Sequence, residues 1–351
     1  IYLRTYMKVS IGTNIKEGPW GGGNLFAINL KNHLEKNGHT VIHDLKDDDI
    51  DLILITEPRK TSESSAFTHV EVLKYLSYVK EDAMVVHRFN ECDERKNTNY
   101  VNKYLLNANK IADHTVFVSE WLRSLYKKQG FTRKDSDVIY AGADKGIFNT
   151  SNFKPWDKSN PIKIVTHHWG ANWNKGFEYY LLLDSFMDDE SWKNVIEFTY
   201  IGNIPKKIKF KNTKVLQPLS GLNLAKEIKK NDLYLTGSIN EPSGNHHIEA
   251  AQCGLPLLYI NSGGIPEYCD GFGTMFNDKK DFEDKLSEAI KSYETISQNI
   301  QDYPHSAEIM SEDFLNLFKK MVKNKEDYLE KRIITLNNSF ISRKLYSFKR
   351  I

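Results

Sequence analysis

The chain has 351 residues, of which 40% are hydrophobic and 27% are charged, values that are ordinary for a globular protein. This length favours two domains, and the net charge of +2 gives no reason to expect a nucleic-acid partner. No apolar run approaches the roughly 18 residues of a membrane-spanning helix, and no secretory signal peptide opens the chain. The three cysteines are odd in number and lack metal-binding spacing, which favours a reducing, cytoplasmic compartment.

The first half of the chain alternates predicted strands with predicted helices. Apolar runs predict strands at residues 8–13, 51–56, 83–89, 115–119 and 137–140. Helical patterns lie between them, for instance at 25–36, 101–112 and 121–129. Strands that alternate with helices in this way predict a parallel sheet.

Two loops of the first half follow predicted strands and carry glycine or polar residues. Gly21-Gly22-Gly23 precedes the first helix, where glycines let backbone approach a ligand and a helix offers N–H groups to an anion. The polar run 87–96 begins as the strand at 83–89 ends. A strand ending at residue 89 directs Asn90 and Asp93 toward the sheet edge and leaves His87 in the core.

The second half restarts the same alternation after a linker. Residues 150–160, which are rich in Asn, Ser and Lys and contain Pro155, form the expected linker. Predicted strands follow at 162–166, 195–201, 232–237 and 255–260. The chain is therefore predicted to be α/β, with two Rossmann-like parallel-sheet domains that face each other across a cleft.

The segment from Glu241 to Glu249 is the most informative part of the sequence. Glu241 falls on the loop beyond the carboxyl end of a predicted strand, where open α/β sheets bind ligands. Ser243-Gly244-Asn245 lies at a helix N-terminus, whose unpaired N–H groups attract phosphate. Glu249 can reach back from the first turn of that helix, and a carboxylate there suits the vicinal hydroxyls of ribose. A capped helix with acidic residues near its positive end is the alternative interpretation.

The next strand leads to Gly263-Gly264-Ile265-Pro266-Glu267. Together with Glu241 and Glu249, this turn resembles the signature of retaining GT-B glycosyltransferases, the glycogen-synthase-like group often called glycosyltransferase family 4. Those enzymes carry a Glu-x7-Glu segment, a strand and a Gly-Gly-x-Pro-Glu turn in the same order. The resemblance runs from Met7 to about Lys323, and it implies a GT-B fold and a nucleotide-diphosphate-sugar donor.

The resemblance also implies roles for individual residues. Lys175-Gly176 matches a basic position that neutralises the donor diphosphate, although the family's accompanying Arg is replaced here by Gly170 or a neighbour. Either His87 or Asn90 could take the place of the family's sugar-binding His. The expected catalytic residues are Glu241, Lys175, Asn90 and Asp93. The expected donor-binding residues are Gly22, Gly23, His168, Asn172, Lys175, Ser243, Gly244, Asn245, His246 and Glu249.

The implied activity is a retaining sugar transfer to a glycan, lipid or other hydroxyl acceptor, without a cofactor. The acidic runs 47–49 and 188–190 are interpreted as solvated faces, so no metal site is expected. Arg88 and Arg95 could hold an acidic or phosphorylated acceptor, or form surface salt bridges instead. A sugar-nucleotide epimerase, or a catalytically degenerate partner that binds nucleotide sugar or glycan, remains an alternative on this fold.

The expected domains are an acceptor-side domain at 1–150, a linker at 151–160, and a donor-side domain at 161–325. Residues 326–351 are expected to cross back as helix onto the first domain. The tail 339–350 mixes aromatic and basic residues, so a weak peripheral contact with an anionic membrane is the alternative to packing.

Overall fold

Two six-stranded parallel sheets organise the chain in this computed structural model, which describes residues 6–16, 18, 21–332 and 334. The first sheet contains β1 (Lys8–Ile11), β2 (Thr40–Ile42), β3 (Leu52–Ile55), β4 (Met84–Phe89), β5 (His114–Phe117) and β6 (Ser136–Val138). The second contains β7 (Ile162–His168), β8 (Ile196–Gly202), β9 (Lys214–Leu216), β10 (Leu233–Thr236), β11 (Leu257–Ile260) and β12 (Gly273–Phe276). We call the parts built on these sheets the first unit and the second unit. The predicted α/β fold with two parallel sheets is confirmed.

Helices follow most strands and cover the sheets. The helices of the first half are α1 (Gly22–Lys36), α2 (His69–Tyr78), α3 (Asp93–Lys96), α4 (Val101–Ala108) and α5 (Glu120–Lys128). The second half contains α6 (Phe177–Phe186), α7 (Gly221–Ile228), α8 (Asn245–Gln252), α9 (Ile265–Cys269), α10 (Phe282–Lys291), α11 (Tyr293–Asn299), α12 (Ala307–Lys323) and α13 (Lys325–Glu330). No helix in the described part of the chain combines the length and apolar character needed to cross a bilayer.

Side-chain caps define where two helices of the first unit begin. The Thr68 hydroxyl accepts a hydrogen bond from the Glu71 N–H, and the Glu71 carboxylate accepts one from the Thr68 N–H, which starts α2. The Ser119 hydroxyl accepts from the Leu122 N–H and starts α5 directly after β5. Such caps satisfy N–H groups that a helix otherwise leaves unpaired. The Ser119 cap therefore fixes the N-terminus of α5 at the carboxyl edge of the first sheet.

Three short strands have no matching prediction from the sequence. β2 and β9 contain three residues each, and β12 begins with Gly273 and includes the half-exposed Met275. None of them forms the continuous apolar run that predicts a buried strand. Conversely, the helix expected over 101–112 ends as α-helix at Ala108 and continues as a 3-10 turn over Asn109–Ile111.

The strand orders place a switch point in each sheet. The first sheet has the order β2-β1-β3-β4-β5-β6, and the second has β12-β11-β10-β7-β8-β9. In the first sheet, the chain adds β2 on one side of β1 and then β3 to β6 on the other side. In the second sheet, it adds β8 and β9 on one side of β7 and then β10 to β12 on the other. Loops separate at these points beyond the carboxyl ends of the strands, which creates the crevice where α/β sheets bind ligands.

The C-terminal helices return to the first unit. Phe314, Phe318 and Met321 of α12 are fully buried in the core that contains Phe26 of α1 and β1. At the end of this segment, Arg332 donates two hydrogen bonds to the Asp113 carboxylate at 2.6 and 2.8 Å. The return begins at Ala307, earlier than the boundary expected near residue 325, because the apolar stripe of α12 covers the first sheet. The tail 339–351 lies outside the described residues.

Replacing Phe314 should test how much α12 contributes to the first unit. Phe314 is fully buried, and its ring centre lies 5.2 Å from that of Phe26. We expect Phe314→Ala to lower the free energy of unfolding by about 3–5 kcal/mol, because it leaves a cavity in the core. The matched control is Ile309→Ala, which truncates a side chain of α12 that is 50% exposed. Urea denaturation giving equal losses for both variants would contradict the docking of α12.

Candidate functional site

The carboxyl edges of the two sheets contact each other. The guanidinium Nε of Arg95, in the first unit, lies 2.9 Å from Glu241 Oε1 in the second. Asn174 Nδ2 donates to the Arg95 carbonyl at 3.1 Å, and Asn240 Nδ2 donates to the Glu94 carbonyl at 3.3 Å. The two switch points therefore face each other, and groups from both units meet at one place.

Glu241 is held between one cation from each unit. Its side chain is 4% exposed, and Lys175 Nζ lies 2.6 Å from Oε2 while Arg95 occupies Oε1. Burial opposes ionisation of this carboxyl, but the charges of Arg95 and Lys175 outweigh it and lower the pKa of Glu241 to about 2. Glu241 is therefore ionised at neutral pH, and the three side chains together carry one net positive charge.

A second carboxylate, Glu91, extends this charged cluster within the first unit. Arg95 Nη1 lies 3.2 Å from Glu91 Oε2, and Lys96 Nζ lies 2.5 Å from the same oxygen. Arg95 and Glu91 are spaced four residues apart, a pairing distance visible in the sequence. The sequence did not reveal Glu91 as a member of the site, because its neighbour Glu241 lies 150 positions away.

Glu249 reaches back from α8 to the end of β7, although α8 begins at Asn245 and Glu249 therefore lies past its first turn and not on it. Its Oε2 lies 2.9 Å from His167 Nε2, and its side chain is nearly buried. His167 Nδ1 is 3.2 Å from the Tyr234 hydroxyl, which fixes the ring between the two groups. Glu249 and Glu241 therefore flank the second switch point from opposite sides, one held by a histidine and the other by two cations.

Three buried histidines meet at the N-terminus of α8: His246 and His247 of its first turn, and His168 at the end of β7. The ring centres of His168 and His246 are 4.5 Å apart, and those of His246 and His247 are 4.8 Å apart. Burial lowers the pKa of His168 and His246 well below the usual value, and it lowers that of His247 to about 3. His168, one of the expected donor-binding residues, is therefore neutral at pH 7 and does not add positive charge to the site.

The N-termini of α1 and α8 meet across the interface. No described side chain caps either helix, so their first N–H groups are available to a ligand. A Cβ atom at Gly22 would lie 2.9 Å from the Asn245 side-chain oxygen, so any larger residue there would require the Asn245 side chain to move. Gly244 has a φ of +83°, and it turns the chain into α8 beside Glu241. Both positive helix ends therefore point into the region where the units meet.

The first unit contains a cavity of 390 Å³ at its switch point. Its lining comes from loops after β1, β3 and β4 and from the start of α1. The lining residues include Gly22, Gly23, Thr13, Thr56, Arg88 and Asn90. The structure thus places Gly22, Gly23 and Asn90 of the predicted site together at this cavity.

Two predicted site residues have other surroundings. The Asp93 carboxylate accepts hydrogen bonds from the Thr98 hydroxyl and from the N–H groups of residues 100–102, at 2.5–3.0 Å. It thereby caps the start of α4, so the geometry does not support the catalytic role expected for Asp93. Asn172 is exposed at the start of a 3-10 turn that ends at Lys175. His87 lies in the core beside Asn109, which leaves Asn90 as the residue at the opening.

Glu267 of the glycine turn connects the units. Its two carboxylate oxygens accept hydrogen bonds from the N–H groups of Glu120 and Trp121, at 2.7 and 2.6 Å, and one also accepts from the Tyr140 hydroxyl. A carboxylate from the second unit thus caps α5 of the first. In this chain, Glu267 positions the two units rather than pointing to an open ligand site. Within the described ranges, no group of three or more His, Cys, Asp or Glu side chains is arranged to hold a metal ion.

The buried histidines predict that acid destabilises the fold. Burial lowers the pKa of His87 and His247 to about 3 and that of His305 to about 4. The unfolded chain takes up protons below its pKa of about 6.5 while the folded chain does not, so stability is lost as pH falls from that value. Each such group contributes a slope of about 1.4 kcal/mol per pH unit.

We expect the melting temperature to fall steeply between pH 7 and pH 5, a range in which Glu241 stays ionised when folded. His247→Asn should flatten the slope, because it removes a buried imidazole that takes up a proton only on unfolding. A melting temperature constant between pH 7 and pH 5 would show that these side chains do not remain neutral when buried.

Comparison with known proteins gives matches to glycosyltransferases. Residues 203–303 match the family model described as glycosyl transferases group 1. No curated protein matches the chain in sequence. The matched segment contains β10, α8, β11 and α9, and thus Glu241, Glu249 and Glu267.

Solved structures match over nearly the whole chain. A glycosyltransferase from Rickettsia africae is 15% identical with a TM-score of 0.63, covering 92% of this chain and 100% of its own. HepE from Anabaena, in complex with UDP-glucose, is 14% identical with a TM-score of 0.64, covering 90% and 100%. WaaG, a glycosyltransferase involved in lipopolysaccharide biosynthesis, is 13% identical with a TM-score of 0.61, covering 89% and 99%. The chain therefore has the GT-B fold, and its second unit matches the group 1 glycosyl transferases.

Proposed function

We propose that this chain is a retaining glycosyltransferase of the glycogen-synthase-like group, which transfers a sugar from a nucleotide diphosphate to a hydroxyl acceptor. The observation that carries this proposal is the cluster at the second switch point. There, Glu241, Lys175 and the N-terminus of α8 lie together and face a polar cavity of the first unit. Such an arrangement offers a donor site and an acceptor site on opposite sides of one cleft.

The donor diphosphate would bind at the N-terminus of α8. The amides of residues 243–245 and the Lys175 ammonium can take up the charge that develops on the leaving phosphate. Arg95 supplies a second cation next to Glu241. This cation would compensate for the Arg of the resembled family, which is replaced here by Gly170 or a neighbour. Both oxygens of the Glu241 carboxylate have partners in this structure, so the sugar hydroxyls would bind Glu241 by displacing Arg95 from Oε1.

The nucleoside would extend toward Glu249. The Glu249 carboxylate is anchored by His167 through Oε2, and its Oε1 has no hydrogen-bond partner among the described residues. Two vicinal hydroxyls of ribose are suitable donors to such a carboxylate. His246, which is neutral and bonded to Thr236 at 2.8 Å, would contribute hydrogen bonds or packing rather than charge.

The reaction breaks the bond between the anomeric carbon and the diphosphate oxygen and forms a bond to the acceptor oxygen on the same face. The acceptor proton passes to the leaving diphosphate. Glu241 is a poor nucleophile and a poor base, because two cations hold its pKa near 2. This favours a route in which the leaving group itself receives the proton. Closure of the units would exclude water that otherwise hydrolyses the donor.

The comparisons support this proposal through what the related proteins bind. HepE was solved in complexes with UDP-glucose and with UDP and glucose. These ligands are a nucleotide sugar and the two parts into which it divides. The proposal for this chain extends to nucleotide-diphosphate sugars as a class and requires no metal or other cofactor.

A panel of UDP-, GDP- and ADP-sugars in a thermal-shift assay tests donor binding, because at a fixed concentration a ligand that binds the folded state more tightly stabilises it more. We expect one nucleotide to stabilise the protein, and Glu249→Ala to weaken its affinity by about 1–3 kcal/mol through loss of buried hydrogen bonds. Glu197→Ala, which changes an exposed glutamate of β8, is the control. If calorimetry gave equal affinities for the Glu249 and Glu197 variants, Glu249 would not belong to the ribose site.

Turnover should survive EDTA, because Lys175, Arg95 and the helix N-terminus provide the positive charge that a metal provides elsewhere. The measurement is sugar transfer or donor hydrolysis, with NMR of the product to establish its anomeric configuration. Loss of turnover that manganese or magnesium restores would refute the metal-independent mechanism. Epimerised donor formed without acceptor would instead identify an epimerase, and complete absence of turnover would favour a binding partner.

A further inference from the structure

The cavity of the first unit is lined by a buried cation that forms no ion pair with any described carboxylate. Arg88, on β4, is 5% exposed, and its guanidinium carbon lies 3.9 Å from the centre of the Phe26 ring. No hydrogen-bond partner for its Nη1 exists among the described residues. Burial lowers the pKa of Arg88 to about 10, so the side chain remains charged at neutral pH.

The other cations that line this cavity contact carboxylates of their own. These pairs are Arg59 with Glu57, Lys16 with Glu63, and both Arg95 and Lys96 with Glu91, at 2.5–3.2 Å. Arg88 differs from them because no described carboxylate forms an ion pair with it. A buried charge without a partner is costly, so its presence at a cavity wall indicates a partner that arrives with the ligand.

We propose that the substrate occupying this cavity carries an anionic oxygen group, a carboxylate or a phosphate, which Arg88 binds. The proposal rests on the proposed function in that the cavity ligand is taken to be the sugar acceptor. The 390 Å³ volume falls in the range of about 300–1,000 Å³ typical of small-molecule sites. A planar guanidinium suits bidentate contact with either group. Asn90, Thr13 and Thr56 line the same cavity and can bond neutral hydroxyls.

The donor diphosphate is the other anion expected in the cleft, and apart from Arg95, which already contacts Glu91 and Glu241, its supports lie in the second unit. Lys175 and the N-terminus of α8 belong to the second unit. All described residues that line the cavity of Arg88 belong to the first unit, between Thr13 and Lys96. An anion bound by Arg88 is therefore part of the acceptor rather than of the donor.

The experiment compares glucose, glucuronate and glucose 6-phosphate as ligands of the full chain, by calorimetry at fixed ionic strength. We expect wild type to bind a charged sugar on the order of tenfold more tightly than glucose, as charge-assisted hydrogen bonds allow. Glucuronate binding more tightly would identify a carboxylate acceptor, and glucose 6-phosphate a phosphorylated one. Arg88→Gln should remove the preference, and Arg88→Lys should keep part of it. Lys60→Gln, an equal charge change on an exposed residue, should retain it.

Two results would overturn this inference. One is a wild-type protein that binds charged sugars no better than glucose. The other is an Arg88→Gln variant that keeps the preference, or that weakens nucleoside diphosphate binding as strongly as charged-sugar binding. Arg88→Gln should melt no lower than wild type, because it removes an unpaired buried charge. Nucleotide-sugar binding is measured separately. A protein that binds no nucleotide sugar would refute the proposed function, whereas the comparison of charged and neutral sugars would still test the role of Arg88.

Discussion

The contact of Glu241 with Lys175 and Arg95 is the interaction on which the arrangement of the site depends. The carboxylate belongs to the second unit, and the two cations come from one unit each. A buried carboxylate is stable as an anion only where nearby cations compensate for lost hydration. The two sheet edges must therefore approach closely enough for Arg95 to reach Glu241. Removing either cation would leave one oxygen of the buried carboxylate without its partner. The same three side chains thus connect the units and concentrate positive charge where a phosphate would bind.

Parallel topology explains why these groups meet. Every strand of each sheet ends at the same edge, and the order of strands separates the loops at β1 and β7. Two helix N-termini, Gly22 of α1 and Asn245 of α8, come into contact at this place. Such a meeting of positive helix ends is unfavourable without an anion between them. A donor diphosphate bound as proposed would lie between these helix ends and offset their repulsion, and the proposed acceptor anion would do the same for Arg88.

The sequence predicts most of this architecture because its signals are local. Apolar runs indicated the buried strands, and the spacing of Glu241, Glu249 and the glycine turn indicated the edge of the second sheet. Contacts between distant segments could not be predicted in the same way. Arg95 and Glu241 lie 146 positions apart, and Asp93 was expected in the cleft although residues 98–102 fold back and occupy its carboxylate. The short strands β2, β9 and β12 were missed because sheet pairing, rather than apolar character, defines them.

The return of α12 to the first unit has a consequence for how the protein is made. Phe26 and its neighbours on α1 are covered by Phe314 and Phe318, nearly three hundred positions later. During synthesis, the first sheet emerges early, but its apolar face stays uncovered until residues 307–332 have left the ribosome. The second sheet, whose core comes mainly from residues 141–303, can fold in the meantime. The first sheet is thus translated before the second but completed after it, and until then the nascent chain exposes the apolar surface that α12 later covers.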